Sequence, residues 1–326
     1  MLARILWNAD ERRPRAFWRV ALLVVLVLSL SVGVGVGVGV VGVVNRLHDA
    51  VAAAARPALA DVAVSVFGMG VVAGSVVAAV VVAGRFVDNR RLSDLGVSLD
   101  RDWWVDFAFG LALGAALLTL VFLVELAAGW VRVTGTLRPR DGFLARFLGL
   151  TVVFLFVGVY EELLARGYVL TNAAEGLAGY VGDRAAVAVA VCLSSALFGL
   201  AHANNPNATL VSSLAVTLAG VMLALGYVLT GEIAIPVGLH VTWNLVQGGV
   251  YGFPVSGIGV DVTVVAVEQR GPAVLTGGQF GPEAGLLGVA AVCLGAVAIA
   301  AWARYRYGRL RVHPDVTSPD LRRDSR

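Results

Sequence analysis

Apolar residues run through this chain in long unbroken blocks separated by short polar stretches. They do not follow the three-or-four spacing of a surface helix or the strict alternation of a half-buried strand. Eight blocks are long enough to cross a bilayer as helices of roughly 17–25 residues. They lie near residues 17–44, 58–84, 107–131, 147–170, 186–203, 209–229, 233–252 and 285–303. The first block follows Arg4, Arg12, Arg13, Arg15 and Arg19 and is far longer than the apolar core of a signal peptide, which predicts a retained helix. The pattern predicts an all-α fold, a polytopic integral membrane helical bundle with about eight transmembrane helices. A single membrane domain spans residues 1–312, with a polar cytoplasmic tail over 313–326.

Within that frame, residues 32–43 alternate Val and Gly almost perfectly. In water this would suggest a strand, but an unpaired strand in lipid leaves its backbone polar groups unsatisfied, so a helix is expected. Gly33 with Gly37, and Gly35 with Gly39, then have the small-xxx-small spacing of close helix packing. The dinucleotide fingerprint fails because position 38 is Val. The polar stretch 85–106 ends in Trp103 and Trp104, expected as interfacial anchors. Residues 253–283 are expected as the longest external loop, where Val260, Val262 and Val264 alternate as a short hairpin would. His48 and His313 lie in polar segments and are expected at the surface, and the tail from His313 is expected to be loose.

Composition narrows the class. Of 326 residues 58% are hydrophobic and only 14% charged, against about 45–50% and about 25% for soluble domains. That excludes an ordinary cytoplasmic enzyme, a disordered chain and a nucleic-acid-binding domain. The partner implied is the lipid bilayer, and the location a cell membrane crossed many times. All 25 basic residues are Arg. If the N-terminus is inside, 17 of them fall on the inner side, and 7 outside: Arg46, Arg56, Arg132, Arg138, Arg140, Arg146 and Arg270. The excess predicts both termini in the cytoplasm, although four Arg between 132 and 146 oppose it. Cys192 and Cys293 sit in apolar runs without zinc-site spacing and are expected as buried thiols.

Ionisable residues inside apolar spans cost about 2.5–3.5 kcal/mol each at mid-helix, so each needs a reason. The fourth span contains Tyr160-Glu161-Glu162-Leu163-Leu164-Ala165-Arg166-Gly167. Glu162 and Arg166 are four apart with Glu N-terminal, the favourable order for an ion pair. Glu161 is then left without a local cation, as a general base or simply as an interfacial carboxylate. The fifth span ends at His202, before Asn205-Pro206 stops the helix. The seventh places His240 and Asn244 on one face. Two Glu, an Arg, two His and an Asn in one bundle suggest hydrolysis. The HExxH zinc motif is absent, as are the rhomboid-like Gly-x-Ser-Gly and the presenilin-like Gly-x-Gly-Asp.

The order EExxxR, FxxxH, HxxxN on successive helices, here Glu161-Glu162…Arg166, Phe198…His202 and His240…Asn244, resembles the CAAX prenyl protease and bacteriocin-processing (CPBP, or ABI) family of intramembrane endopeptidases. The resemblance covers residues 147–252. It implies a helical bundle with a cavity open to the cytoplasm or the membrane, and hydrolysis of a peptide bond in a lipidated CAAX-type or leader-peptide substrate. Carried over, Glu161 is the general base aided by His202, and His240 and Asn244 bind the oxyanion. Glu162, Arg166 and Phe198 are supporting. A metal-free glutamate mechanism is preferred. A zinc shell of Glu161, His202 and His240 is the alternative, weakened because no ligand pair has HExxH geometry and Glu161 cannot easily be both ligand and base. Two other readings compete: a proton- or ion-coupled transporter and a non-proteolytic scaffold of the same family. Depth poses one difficulty. Counted along the expected spans, His202 falls about 15 Å nearer the outer surface than Glu161 and His240, unless its helix tilts strongly or starts below the membrane surface.

Overall fold

The protein is described here from a computed structural model, which covers residues 6–9, 11–53, 57–319 and 321. Arg4, Arg56, Arg322, Arg323 and Arg326, which entered the orientation count, lie outside the described residues. In chain order, a two-stranded hairpin (β1, Trp7–Asn8; β2, Arg13–Pro14) leads into α1 (Ala16–Val41), α2 (Val43–Ala53), α3 (Pro57–Val82), α4 (Arg101–Ala127) and β3 (Val131–Arg138). Then follow α5 (Phe143–Glu162), α6 (Thr171–Val181), α7 (Asp183–Ala201), α8 (Leu210–Thr230), α9 (Ala234–Asn244), β4 (Thr263–Gln269), the one-turn α10 (Ala273–Thr276) and α11 (Leu286–Tyr307). π-Helical stretches extend α3 (Ala83–Val87), join α5 to α6 (Leu163–Leu170) and extend α9 (Leu245–Val250).

The fold is the expected all-α bundle, with two small sheets added. Seven helices among the described residues are long and apolar enough to cross a membrane. The eighth expected span is α9 with its extension, 11 α-helical and 6 π-helical residues. It falls short of a full crossing because most of it is buried inside the protein, where neighbouring helices replace lipid. Its closest neighbour is α4. A Cβ on Gly110 would lie 2.4 Å from the Ile235 carbonyl oxygen, one on Gly114 2.6 Å from that of Leu239, and one on Gly238 2.3 Å from that of Phe107. The small-xxx-small contact of this protein is therefore Gly110-xxx-Gly114 against Gly238, which brings two backbones together. Gly33, Gly35, Gly37 and Gly39 are helical as expected, yet nothing lies within 4 Å of where their Cβ atoms would be. Among the described residues they pack against no other helix, because α1 faces outward over this stretch.

This contrast yields a prediction. Gly238→Ala is expected to lower stability by about 1–3 kcal/mol through overpacking, a fall in Tm of several degrees. Gly33→Ala is expected to leave Tm unchanged or raise it slightly, since Ala is the better helix former by about 1 kcal/mol. Thermal unfolding of both variants in one detergent checks the difference.

At one end of the bundle the N-terminal hairpin meets the segment after α3, the start of the C-terminal segment and α6. There Arg13, Arg19 and Arg90 converge on Glu175, with Asp88 and Asp94 beside Arg90. Tyr168 donates to Asp88 (3.0 Å), as does Asn172 (3.0 Å). Arg13, Arg19 and Arg90 are buried, so these cations tie helices together rather than lying on a membrane surface. At the other end β3 and β4 pair antiparallel, Arg138 opposite Thr263 and Val131 opposite Gln269.

Several expectations change. The alternation at Val260, Val262 and Val264 leads into β4, but its partner is β3, more than a hundred residues earlier, and not a local hairpin strand. The third span starts at Arg101, where Asp100 caps the helix by accepting from the Trp103 amide (2.8 Å). Trp103 is buried, its indole donating to the Gly96 carbonyl (3.1 Å), so only Trp104 is exposed as an anchor would be. Cys192 and Cys293 are exposed on the outside of the bundle and not buried in its core. His48 is at the surface beside Asp49 and Asp61. His313 instead packs over Gly231, its amide donating to the Val228 carbonyl (2.8 Å), and Val316 is fully buried. The start of the tail is therefore docked, because Val316 supplies an apolar anchor in an otherwise polar segment.

Candidate active site

Both acidic residues lie in the last turn of α5, immediately before the helix widens into its π stretch. His240 and Asn244 lie in α9, again just before a π stretch. Such widenings occur often at functional sites, since one extra residue per turn redirects the side chains that follow. Glu162 is fully buried and accepts from Arg166 Nη1 (2.8 Å), the expected i,i+4 pair. The same oxygen, Oε1, is 2.8 Å from Nδ1 of His240. Glu162 is thus more than a clamp on its own helix: it ties α5 to α9 and holds the His240 ring. Arg166 Nη2 donates to the Gly220 carbonyl of α8 (3.0 Å), so one guanidinium links α5 and α8.

Glu161 stands apart from this pair. Its Oε1 accepts from the Tyr160 hydroxyl (3.0 Å). Its Oε2 has no hydrogen-bond partner among the described residues and lies 3.9 Å from His240 Nε2. Phe198 organises the remaining groups. Its ring lies 4.5 Å beneath the Arg166 guanidinium, 4.8 Å from the His202 ring and 5.9 Å from the His240 ring. At His202, Nδ1 is 2.8 Å from the Phe198 carbonyl. A carbonyl can only accept, so Nδ1 carries a hydrogen, and in the neutral ring Nε2 presents its lone pair.

Glu161, His202, His240 and Asn244 line one cavity of about 940 Å3. The depth difficulty is resolved by α6. The helix begun by α5 continues to Val181 before turning at Gly182, so α7 starts well below the level expected for it. Glu161 is 21 residues before that turn and His202 20 after it. The two antiparallel helices therefore carry them back to one level.

The sequence reading did not single out the far wall of the cavity. Gln247 continues the His240 and Asn244 face at i+7 and donates to the Pro254 carbonyl (2.6 Å) and to Glu283. Glu283 also accepts from the Ser256 amide and hydroxyl (2.9 Å to the latter), and Asn205 donates to the Ser256 carbonyl (3.0 Å). Ser256, Asn205 and Glu283 all line the cavity. The helical spacing of Gln247 after Asn244 was the available signal; Glu283 had none, since its partners are distant in sequence.

A zinc shell requires its nitrogen and oxygen ligands about 2.0–2.2 Å from one ion. Among the described residues no three His, Cys, Asp or Glu side chains converge in that way. Glu161, His202 and His240, as they stand, do not form the zinc shell weighed as an alternative. No curated protein and no solved structure matches the chain. Residues 143–246, the segment that holds the three motif-bearing helices, match the family model described as type II CAAX prenyl endopeptidase Rce1-like, so over this segment the chain is similar to the family that its motifs resemble.

Proposed function

We propose that the chain is an intramembrane endopeptidase in which Glu161 activates a water. The observation that carries this reading is the unpartnered Glu161 Oε2 facing His240 Nε2 inside the shared cavity. Glu161 takes a proton from water as the water oxygen attacks the scissile carbonyl carbon. The His202 Nε2 lone pair accepts the water's second hydrogen bond and orients it. The carbonyl electron pair becomes an oxyanion, received by the Asn244 amide and by His240 Nε2 when that ring carries both protons. Glu161 then returns the proton to the departing amine as the carbon–nitrogen bond breaks. No acyl-enzyme forms. Part of the cavity wall is apolar, with Leu23, Val24 and Val27 of α1 and Met69 of α3 along it. That wall suits a substrate carrying a lipid or an apolar leader segment.

The test is cleavage by purified protein in detergent. The substrates are a quenched peptide set that includes farnesylated CAAX-type and leader-type members, with and without a zinc chelator. Cleavage indifferent to the chelator is expected. Loss on chelation, restored by Zn2+, overturns the metal-free mechanism, and no cleavage across the set overturns the hydrolase reading. Asn244→Ala is expected to lower kcat by about 100–1,000-fold, the usual effect of removing one oxyanion donor, with little change in KM. A comparable rise in KM at constant kcat would assign Asn244 to substrate binding instead.

A further inference from the structure

Glu283 lies outside the segment that matches the family model, in the short turn before α11, yet it is buried and lines the cavity. A buried carboxylate costs free energy unless its oxygens are satisfied. Here three donors from two segments converge on it. Oε1 accepts from the Ser256 amide and from the Ser256 hydroxyl (2.9 Å), and Oε2 accepts from Gln247 Nε2. Both segments lead to the candidate catalytic groups. Gln247 stands three residues beyond Asn244, in the π stretch that continues α9. The Ser256 carbonyl accepts from Asn205 Nδ2 (3.0 Å), and the Asn205 amide donates to the His202 carbonyl (3.1 Å). Ser256 itself has a φ of +48°, a left-handed conformation that a residue with a side chain rarely adopts unless its surroundings hold it. At the next position a Cβ on Gly257 would overlap the Pro206 carbonyl oxygen, so this loop is seated directly on the turn after His202.

We infer that Glu283 is a positioning residue for the hydrolysis: it fixes where His202 stands relative to Asn244. The inference rests on the hydrolase reading above. Helices α7 and α9 pack mainly against α8 rather than on each other. Their rings meet at Phe198 and His240, 5.9 Å apart. Beyond that level the bridge is the Glu283 carboxylate, with Gln247 on the α9 side and Ser256 and Asn205 on the α7 side. In the proposed reaction His202 orients the water and Asn244 receives the oxyanion, so their separation bears on the transition state. A misplacement of about 1 Å can cost about 100-fold in rate. Glu162 ties α5 to α9 from within the motif core, and Glu283 ties α7 to α9 from outside it.

The test is a double-mutant cycle in kcat, run on the full chain in detergent with the best-cleaved peptide of the set. Glu283→Gln keeps the size of the side chain but replaces one acceptor oxygen by an amide group, so one of the three donors loses its partner. It is expected to lower kcat about tenfold with KM changed less than about twofold, the mark of a group misplaced in the transition state. In the Asn244→Ala background the same substitution is expected to lower kcat less than about threefold, because the group it positions is already gone. A merely structural staple would lower the active fraction equally in both backgrounds. Equal losses in the two backgrounds therefore overturn the inference, as do an unchanged kcat in the otherwise wild-type chain and a loss confined to KM. Ser256→Ala removes the hydroxyl donor and leaves the amide, so it carries the test if Tm shows that Glu283→Gln does not fold. Its expected loss is about threefold in kcat, again absent without Asn244. Any of these failures, with the wild-type chain still cleaving, leaves the hydrolase reading standing. No cleavage of any peptide by the wild-type chain overturns both.

Discussion

Glu161→Gln should abolish peptide cleavage while leaving the protein folded. The amide keeps the size of the side chain and can still accept from Tyr160, but it cannot take a proton from water. General-base catalysis by a positioned side chain is worth about 10²–10⁴-fold, so kcat is expected to fall by that factor. KM and Tm should barely move, because Glu161 makes no short ion pair: His240 lies 3.9 Å away and is held instead by Glu162 at 2.8 Å. Steady-state cleavage and thermal unfolding of the same preparation decide the matter. A variant that retains more than a tenth of the activity would remove Glu161 from the chemistry.

Glu162→Ala should fail in a different way. Glu162 is one residue further on, yet it is fully buried and grips both Arg166 and His240 through a single oxygen. Its loss leaves the buried Arg166 guanidinium without a carboxylate, and stranding one partner of a buried ion pair typically costs about 3–5 kcal/mol. A fall in Tm of roughly 4–7 °C follows for a chain of this size. Cleavage should be lost as well, since His240 loses the acceptor that orients its ring. Unfolding measured beside activity separates the neighbours: Glu161→Gln inactive and stable, Glu162→Ala inactive and unstable. Equal stability of the two would show that Glu162 does not hold the helices together.

The long apolar spans were legible because a bilayer demands length and composition, and both are local properties of the chain. The pair Glu162–Arg166 was legible for a similar reason: i,i+4 spacing places both groups on one helix face wherever the helix goes. The freedom of Glu161 followed by subtraction, and the structure leaves its Oε2 unpartnered. The glycine reading shows where local rules stop. Small-xxx-small spacing marks a face that can approach another helix, but not which helix meets it. The Val-Gly run in α1 meets none among the described residues, while Gly110 and Gly114 meet α9.

What the sequence determined by itself was the bundle class, the approximate spans and the residue types available for hydrolysis, all carried by composition and short-range periodicity. The tertiary structure alone decided the rest, since each remaining feature joins groups far apart in the chain. The length of the α5–α6 helix brought His202 level with Glu161, which no count along isolated spans could do. The grip of Glu162 on His240 spans 78 residues. The β3–β4 sheet joins segments on either side of the motif core. The Glu283–Ser256 contact fixes the cavity wall from outside that core. Such contacts form only when folding buries polar groups together, where each must find a partner or lose the hydrogen bonds that water supplied.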